Sequence, residues 1–294
     1  MPQSDNIEMN SFAVAISILG FISALFTCIM NIILLKTFMK KKNDMTLFCY
    51  RFTVDVILGA SLAPYLLFVV QYSFFPSQLS EYHNFSFYLS LPGSNVGACR
   101  SIIVLSVAIE RMVAAYTPIF FHNYRQHFPA IIILILAINF GLFENLVLFG
   151  FCDFHLNIPK NCAAFGCAIN SCFANYWLTH KSTIFAMICI FSLLLCIKLF
   201  IINNIMKTGG VELSRANRLA LIESSIVFMF DFLPNFIFKH FATTEFFSFQ
   251  NIGPCGAVTK LFGCAIEAFL VHRTMRKGNG STSSVVVKQW VGSL

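Results

Sequence analysis

The sequence predicts an all-α membrane protein, a bundle of seven transmembrane helices with the N-terminus outside and the C-terminus cytoplasmic. Three observations carry this reading. Charged residues make up 11% of the chain and hydrophobic residues 57%, with a mean hydropathy of +0.74; a water-facing domain needs about 25% charged residues to solvate its surface. Apolar runs of about 20 residues, the helical length that crosses a bilayer core of about 30 Å, recur along the chain. Lys and Arg gather in alternate connections between those runs. The 35 Phe residues fit a hydrocarbon solvent. The net charge of +7 is spread over short loops rather than one face, which makes it a topology signal and excludes nucleic acid as a partner.

The hydropathy pattern predicts spans at about 12–35, 47–70, 96–116, 130–151, 183–205, 219–241 and 252–271. The last is the most polar, with Gly253, Pro254, Gly256, Lys260, Gly263 and Glu267; such residues are tolerated where neighbouring helices satisfy them. Residues 1–272 form the receptor-like domain and 273–294 a short tail. Lys36, Lys40, Lys41, Lys42 and Arg51 mark the first connection as cytoplasmic. Arg111 and Arg125, then Lys207, Arg215 and Arg218, and finally Arg273, Arg276, Lys277 and Lys288 fall on the same side. The opposite side carries Lys160, Lys181 and Lys239. The first ten residues lack a basic signal-peptide region, so the first span is expected to act as an uncleaved anchor. Asn84-Phe-Ser86 is a glycosylation acceptor triplet in a connection expected outside, although Asn279-Gly-Ser281 matches too and should be cytoplasmic.

Polar residues inside such a bundle are expensive and therefore informative. Glu110-Arg111 closes the third span, and Pro118 follows eight positions after the acid. Rhodopsin-like G-protein-coupled receptors carry a similar acid–Arg pair and proline there, usually with a Tyr where this chain has Met112. The competing reading is an interfacial arginine reaching lipid phosphates. Asp55 in the second span and Arg100 in the third, about 16 Å outward of Arg111, fall at one depth, which predicts an ion pair. Alternatively each faces its own water pocket. A permanent cation at Arg100 argues against the sodium site of that receptor class. Asn31 is a candidate third member of this polar cluster, or simple helix–helix glue.

Phe228-Met-Phe-Asp231-Phe232-Leu-Pro234 resembles the Phe-x-x-x-Trp-x-Pro pattern of the same receptors, with Phe232 in place of Trp. Pro234 frees a carbonyl and bends the helix, a pivot for its inner half; the plainer reading is a lipid-facing aromatic run. Asp231 belongs on the bundle interior, and Lys260 is expected to pair with Asp231 or Glu267. Lys260 resembles the retinal-binding lysine of opsins, but no counter-ion acid lies at the outer end of the third span, so no cofactor is expected.

Cys152, Cys162, Cys167 and Cys172 share the second outer loop and suit two disulfides in any of three connectivities. Zinc held by that loop with His155 and His180 is a weaker alternative. The remaining cysteines, such as Cys28, Cys189, Cys196 and Cys264, read as small packing residues. No metal-binding or catalytic motif stands out, so no enzyme is expected. Ser281, Thr282, Ser283 and Ser284 of the tail are phosphorylation candidates or plain disordered polymer.

Long strings then give a family resemblance. Ser94 to Arg125, ending Ile109-Glu-Arg-Met-Val-Ala-Ala-Tyr-Thr-Pro-Ile-Phe-Phe-His-Asn-Tyr-Arg125, resembles the nematode serpentine receptor class BC chemoreceptors. Glu144-Asn-Leu-Val-Leu-Phe-Gly-Phe-Cys-Asp153, Asn170-Ser-Cys-Phe-Ala-Asn-Tyr-Trp177, Ala216-Asn-Arg-Leu-Ala-Leu-Ile222, Phe228–Pro234 and Phe247-Ser-Phe-Gln-Asn-Ile-Gly-Pro254 continue it over nearly the whole chain. The resemblance implies a chemoreceptor in the plasma membrane of sensory neurons, in their cilia. It would couple a small organic, pheromone-like ligand to a heterotrimeric G protein through Glu110, Arg111, Pro118, Arg215 and Arg218. A ligand-gated channel, with its N-terminus inside, and a transporter, with inverted repeats, are the alternatives.

Overall fold

The computed structural model describes residues 11–39, 46–125, 129–156, 158, 164–205, 215–241 and 253–277. Among the described residues the chain is helical, with no strand. The long helices are α1 (Ser11–Met39), α2 (Thr46–Phe74), α3 (Phe85–Tyr116), α4 (Ala130–Leu146, prolonged by a π-helical turn Val147–Phe151) and α5 (Ser171–Ile205). They continue with α6, made of Arg215–Val227, a π-helical turn Phe228–Phe232 and Leu233–Phe241, and end with α7 (Cys255–Lys277). Six of them are long and apolar enough to cross a membrane. The remaining one, α3, has 32 residues, about 48 Å of helix. It packs against α2, α4, α5 and α6, while α1 lies on α2 and α7.

The helices are packed for an apolar solvent. Ile22, Leu142 and Phe200 are 58%, 57% and 68% exposed, whereas Ser17, Thr27, Asn31, Arg51, Asp55, Arg100 and Glu267 are buried. Hydrocarbon reverses the usual incentive: it accepts Ile and Phe at the surface and drives polar groups into the protein interior. The chain is thus a multi-pass membrane protein. Small residues bring the helices close. A Cβ on Gly59 would meet the Ala24 carbonyl oxygen of α1 at 2.9 Å, and one on Gly141 would meet the Asn95 carbonyl oxygen of α3 at 2.6 Å. Close backbone approach of this kind is how membrane helices gain dispersion contact.

Two boundaries differ instructively from the hydropathy pattern. Helix α3 starts at Phe85, eleven residues before the predicted span, and α5 starts at Ser171, twelve before it. The added first turns of α3 contain Ser86, Ser90 and Pro92. The two hydroxyls donate to carbonyls of the preceding turn, Ser86 to His83 at 2.8 Å and Ser90 to Phe87 at 2.9 Å. Polar in composition, these residues satisfy themselves within the helix and face the bundle, so hydropathy misses them. The earlier start also places Asn84, half-buried, at the turn that opens α3, with Ser86 of its acceptor triplet buried inside the helix.

The connection between α4 and α5 folds back over the bundle. Cys152 and Cys172 form a disulfide, and Cys167 is disulfide-bonded as well; Cys162 lies outside the described residues. Asn170 Nδ2 donates to the Cys152 carbonyl at 2.6 Å, and Phe165 N–H donates to the Tyr65 hydroxyl at 3.0 Å. Phe165 also stacks on Phe87, with ring centroids 5.8 Å apart.

Candidate functional site

Midway along α3 the bundle encloses a network of buried charges. Arg100 Nε donates to Asp55 Oδ1 at 2.7 Å, its NH1 to Asp231 Oδ2 at 3.4 Å and its NH2 to Glu267 Oε2 at 3.3 Å. Arg51, one turn from Asp55 on α2, lies 3.2 Å from Asp55 Oδ2 and 2.8 Å from Glu223 Oε1, and pairs with Glu267 Oε1. Asp55 and Glu267 therefore each bridge both guanidinium groups. Lys260 Nζ extends the chain, 3.4 Å from Asp231 Oδ1. The order Glu223–Arg51–Asp55/Glu267–Arg100–Asp231–Lys260 joins α2, α3, α6 and α7. A planar guanidinium with a fork of donors suits such two-carboxylate bridging better than a lysine would.

Helix α6 enters this network twice, with Glu223 in its first half and Asp231 in the π-helical turn. The two positions are about 12 Å apart along the helix. Pro234 follows that turn after one intervening residue, Leu233. The bend expected from the proline is accompanied by a widened turn that points Asp231 at Arg100 and Lys260, a usual role for π-bulges at functional sites. Within that turn, Phe228 is 43% exposed and stacks on Phe232 at 5.7 Å. Phe228 thus faces outward, as in the plainer lipid-facing reading. Asn31 is buried, yet its amide donates to Thr27 O of its own helix at 2.9 Å. Among the described residues none of its hydrogen bonds reaches Asp55 or Arg100.

At one end of α3, Arg111 NH2 donates to Glu110 Oε1 at 2.7 Å, and its guanidinium lies 5.9 Å from the Phe48 ring centroid of α2. Pro118 opens the following short helix, Pro118–Arg125. Arg215 and Arg218 occupy the first turn of α6, with Arg218 exposed. The tail residues 281–284 and Lys288 lie outside the described residues.

Toward the other end of α3, about 21 Å from Arg111 at Gly97, a cavity opens between α2, α3, α5, α6 and α7. Its empty space, open mouth included, is about 950 Å³. Ser90, Gly93, Ser94 and Gly97 of α3 form one wall, and Phe165 and Gly166 of the disulfide-tied connection help close it. Asp231 and Lys260 line its floor, so the cavity and the charge network share two residues.

Several of these participants are invisible to hydropathy and loop charge. Arg51, counted from sequence as a cytoplasmic loop charge, is buried at 1% exposure inside α2; its spacing of four from Asp55 was the available signal. Glu223 was legible only as an acid inside an apolar run, and Glu267, expected as an alternative partner of Lys260, meets Arg51 and Arg100 instead. His180, considered with His155 for loop zinc, instead faces Glu144 at 3.1 Å within the bundle.

The family model described as serpentine type 7TM GPCR chemoreceptor Srbc matches residues 9–279. No curated protein matches the chain.

Proposed function

The chain belongs to Srbc, a nematode family of serpentine seven-transmembrane GPCR chemoreceptors, and from that premise we propose a ligand-driven switch centred on α6. A small organic molecule enters the cavity bounded by α3, α5, α6 and α7 and changes the contacts of Asp231 and Lys260. The observation that carries this reading is the double attachment of α6: Glu223 to Arg51 and Asp231 to Arg100. Any rotation of its inner half about the π-helical turn and Pro234 must break or trade those ion pairs. The ligand shifts the balance only by binding one arrangement better than the other.

In this reading all seven long helices span the bilayer, with the N-terminus outside. Their cytoplasmic face presents Glu110, Arg111, Pro118, Arg215 and Arg218 to a heterotrimeric G protein. The setting is the plasma membrane of a sensory neuron, and Asn84 carries glycan outside. The decisive experiment expresses Arg111→Ala and the native chain at equal surface density and measures G-protein activation by an extract that drives the native receptor. Loss of at least tenfold in response is expected. A response equal to that of the native chain removes the coupling role.

A further inference from the structure

The charges that line the cavity are two cations, Lys181 and Lys260, and one carboxylate, Asp231. Asp231 is already engaged on both oxygens, by Arg100 at 3.4 Å and by Lys260 at 3.4 Å. Lys181 differs from every other buried cation in the bundle. It is 7% exposed and, among the described residues, has no carboxylate within ion-pair distance. Its ammonium lies 3.5 Å from the centroid of the Trp177 ring, which offers a cation–π contact but no hydrogen-bond acceptor. The surrounding carboxylates have closer partners than Lys181. Glu144 holds His180 at 3.1 Å and Ser94 at 3.1 Å, and the deeper acids Asp55, Glu223 and Glu267 are each paired with a guanidinium. Among the described residues no hydrogen-bond acceptor meets this ammonium, and unused donors are costly in a medium of low dielectric.

We infer that the cavity takes a small organic acid: an apolar, preferably aromatic or alkyl body with one carboxylate that pairs with Lys181. The inference rests on the reading of the cavity as a ligand site and adds the chemical class. Phe185, Phe230 and Phe238 supply apolar contact for the body, and Asn235 is within the same lining. An amine of similar shape would meet two ammonium groups and a carboxylate already shared by two cations, so the site discriminates by charge as well as by shape. A carboxylate arriving from water and one supplied by a membrane fatty acid share this chemistry, and the test separates them.

The full chain in phosphatidylcholine nanodiscs is melted with phenylalkyl probes of graded length, phenylacetate to 6-phenylhexanoate, each beside its matching alcohol and amine. At least one acid is expected to raise Tm at millimolar concentration while its alcohol and amine do not. The shift is expected to vanish in Lys181→Gln and persist in Lys181→Arg. Because the acid, alcohol and amine are compared on the native chain, the result stands even if a variant folds poorly. Equal shifts by acid and amine, a shift that survives Lys181→Gln, or no acid-specific shift across the series overturns the inference. A shift produced by oleate in the bilayer and by none of the water-borne acids overturns it in favour of a lipid occupant. Binding is read without a G protein, so failure here is distinct from failure of receptor coupling. Equal binding of all three classes would leave the cavity a ligand site with no charge preference.

Discussion

At Arg51 a single guanidinium meets carboxylates from three helices, Asp55 of α2, Glu223 of α6 and Glu267 of α7. Removing it strands those charges in the bundle interior, and breaking a buried pair from one side typically costs about 3–5 kcal/mol. Arg51→Met is therefore expected to cut the folded, surface-exposed fraction severely, read by antibody labelling of intact cells and by detergent melting. Adding Glu223→Met removes one carboxylate with the lost cation and is expected to restore part of the loss. A double variant no better than the single one would show that Glu223 and Arg51 are not coupled. The exchange Asp55→Arg with Arg100→Asp is expected to recover nothing, because the new guanidinium at position 55 would face Arg51 across the present 3.2 Å contact. Depth along a helix was enough to match Asp55 with Arg100 from sequence. It was not enough to reveal Arg51, whose apparent loop position hid it, or that each carboxylate serves two arginines.

At the scale of helices, α3 and α4 meet with backbone close to backbone at Gly141. Gly141 leaves no room for a side chain, because its Cβ would strike the Asn95 carbonyl oxygen at 2.6 Å. Backbone cannot move aside as a flexible side chain can. Gly141→Ala is thus expected to lose about 1–3 kcal/mol by overpacking, visible as a lower Tm of the purified chain. Gly256→Ala should be nearly silent, since its nearest side-chain atom is 3.8 Å away. The tie between Cys152 and Cys172 spans 20 residues. Closing a loop of about that length restricts the unfolded chain by about 3 kcal/mol. Cys172→Ser is expected to lower Tm and loosen the connection over the cavity, measured as faster proteolysis between α4 and α5. Helix existence was legible in the apolar runs, but helix starts were not. Ser86 and Ser90 look like loop residues in composition, and their hydroxyls, donating to His83 and Phe87 carbonyls, let them sit inside the helix.

For the molecule as a whole, the arrangement of cavity, charge network and Glu110–Arg111 along one helix gives a path of about 21 Å from Gly97 to Arg111. An epitope before residue 11 is expected to be accessible on intact cells and one after residue 277 only after permeabilisation; the reverse would remove the proposed orientation. The amino-acid sequence by itself determined that this chain lives in a membrane, roughly where its helices lie, and which family it belongs to. Those properties follow from local hydropathy, loop charge and long strings of residues, none of which needs contact between distant parts. Only the tertiary structure decided which further charges join the Asp55–Arg100 pair. It brought Arg51, Glu223 and Glu267 to the pair at Asp55 and Arg100, gave Lys260 to Asp231, and left Lys181 facing Trp177 in a cavity. The reason is physical: in low dielectric each buried charge must find partners wherever the packing of helices puts them. Packing depends on the rotation of every helix about its axis, which the apolar runs leave unspecified because lipid accepts almost any of their faces.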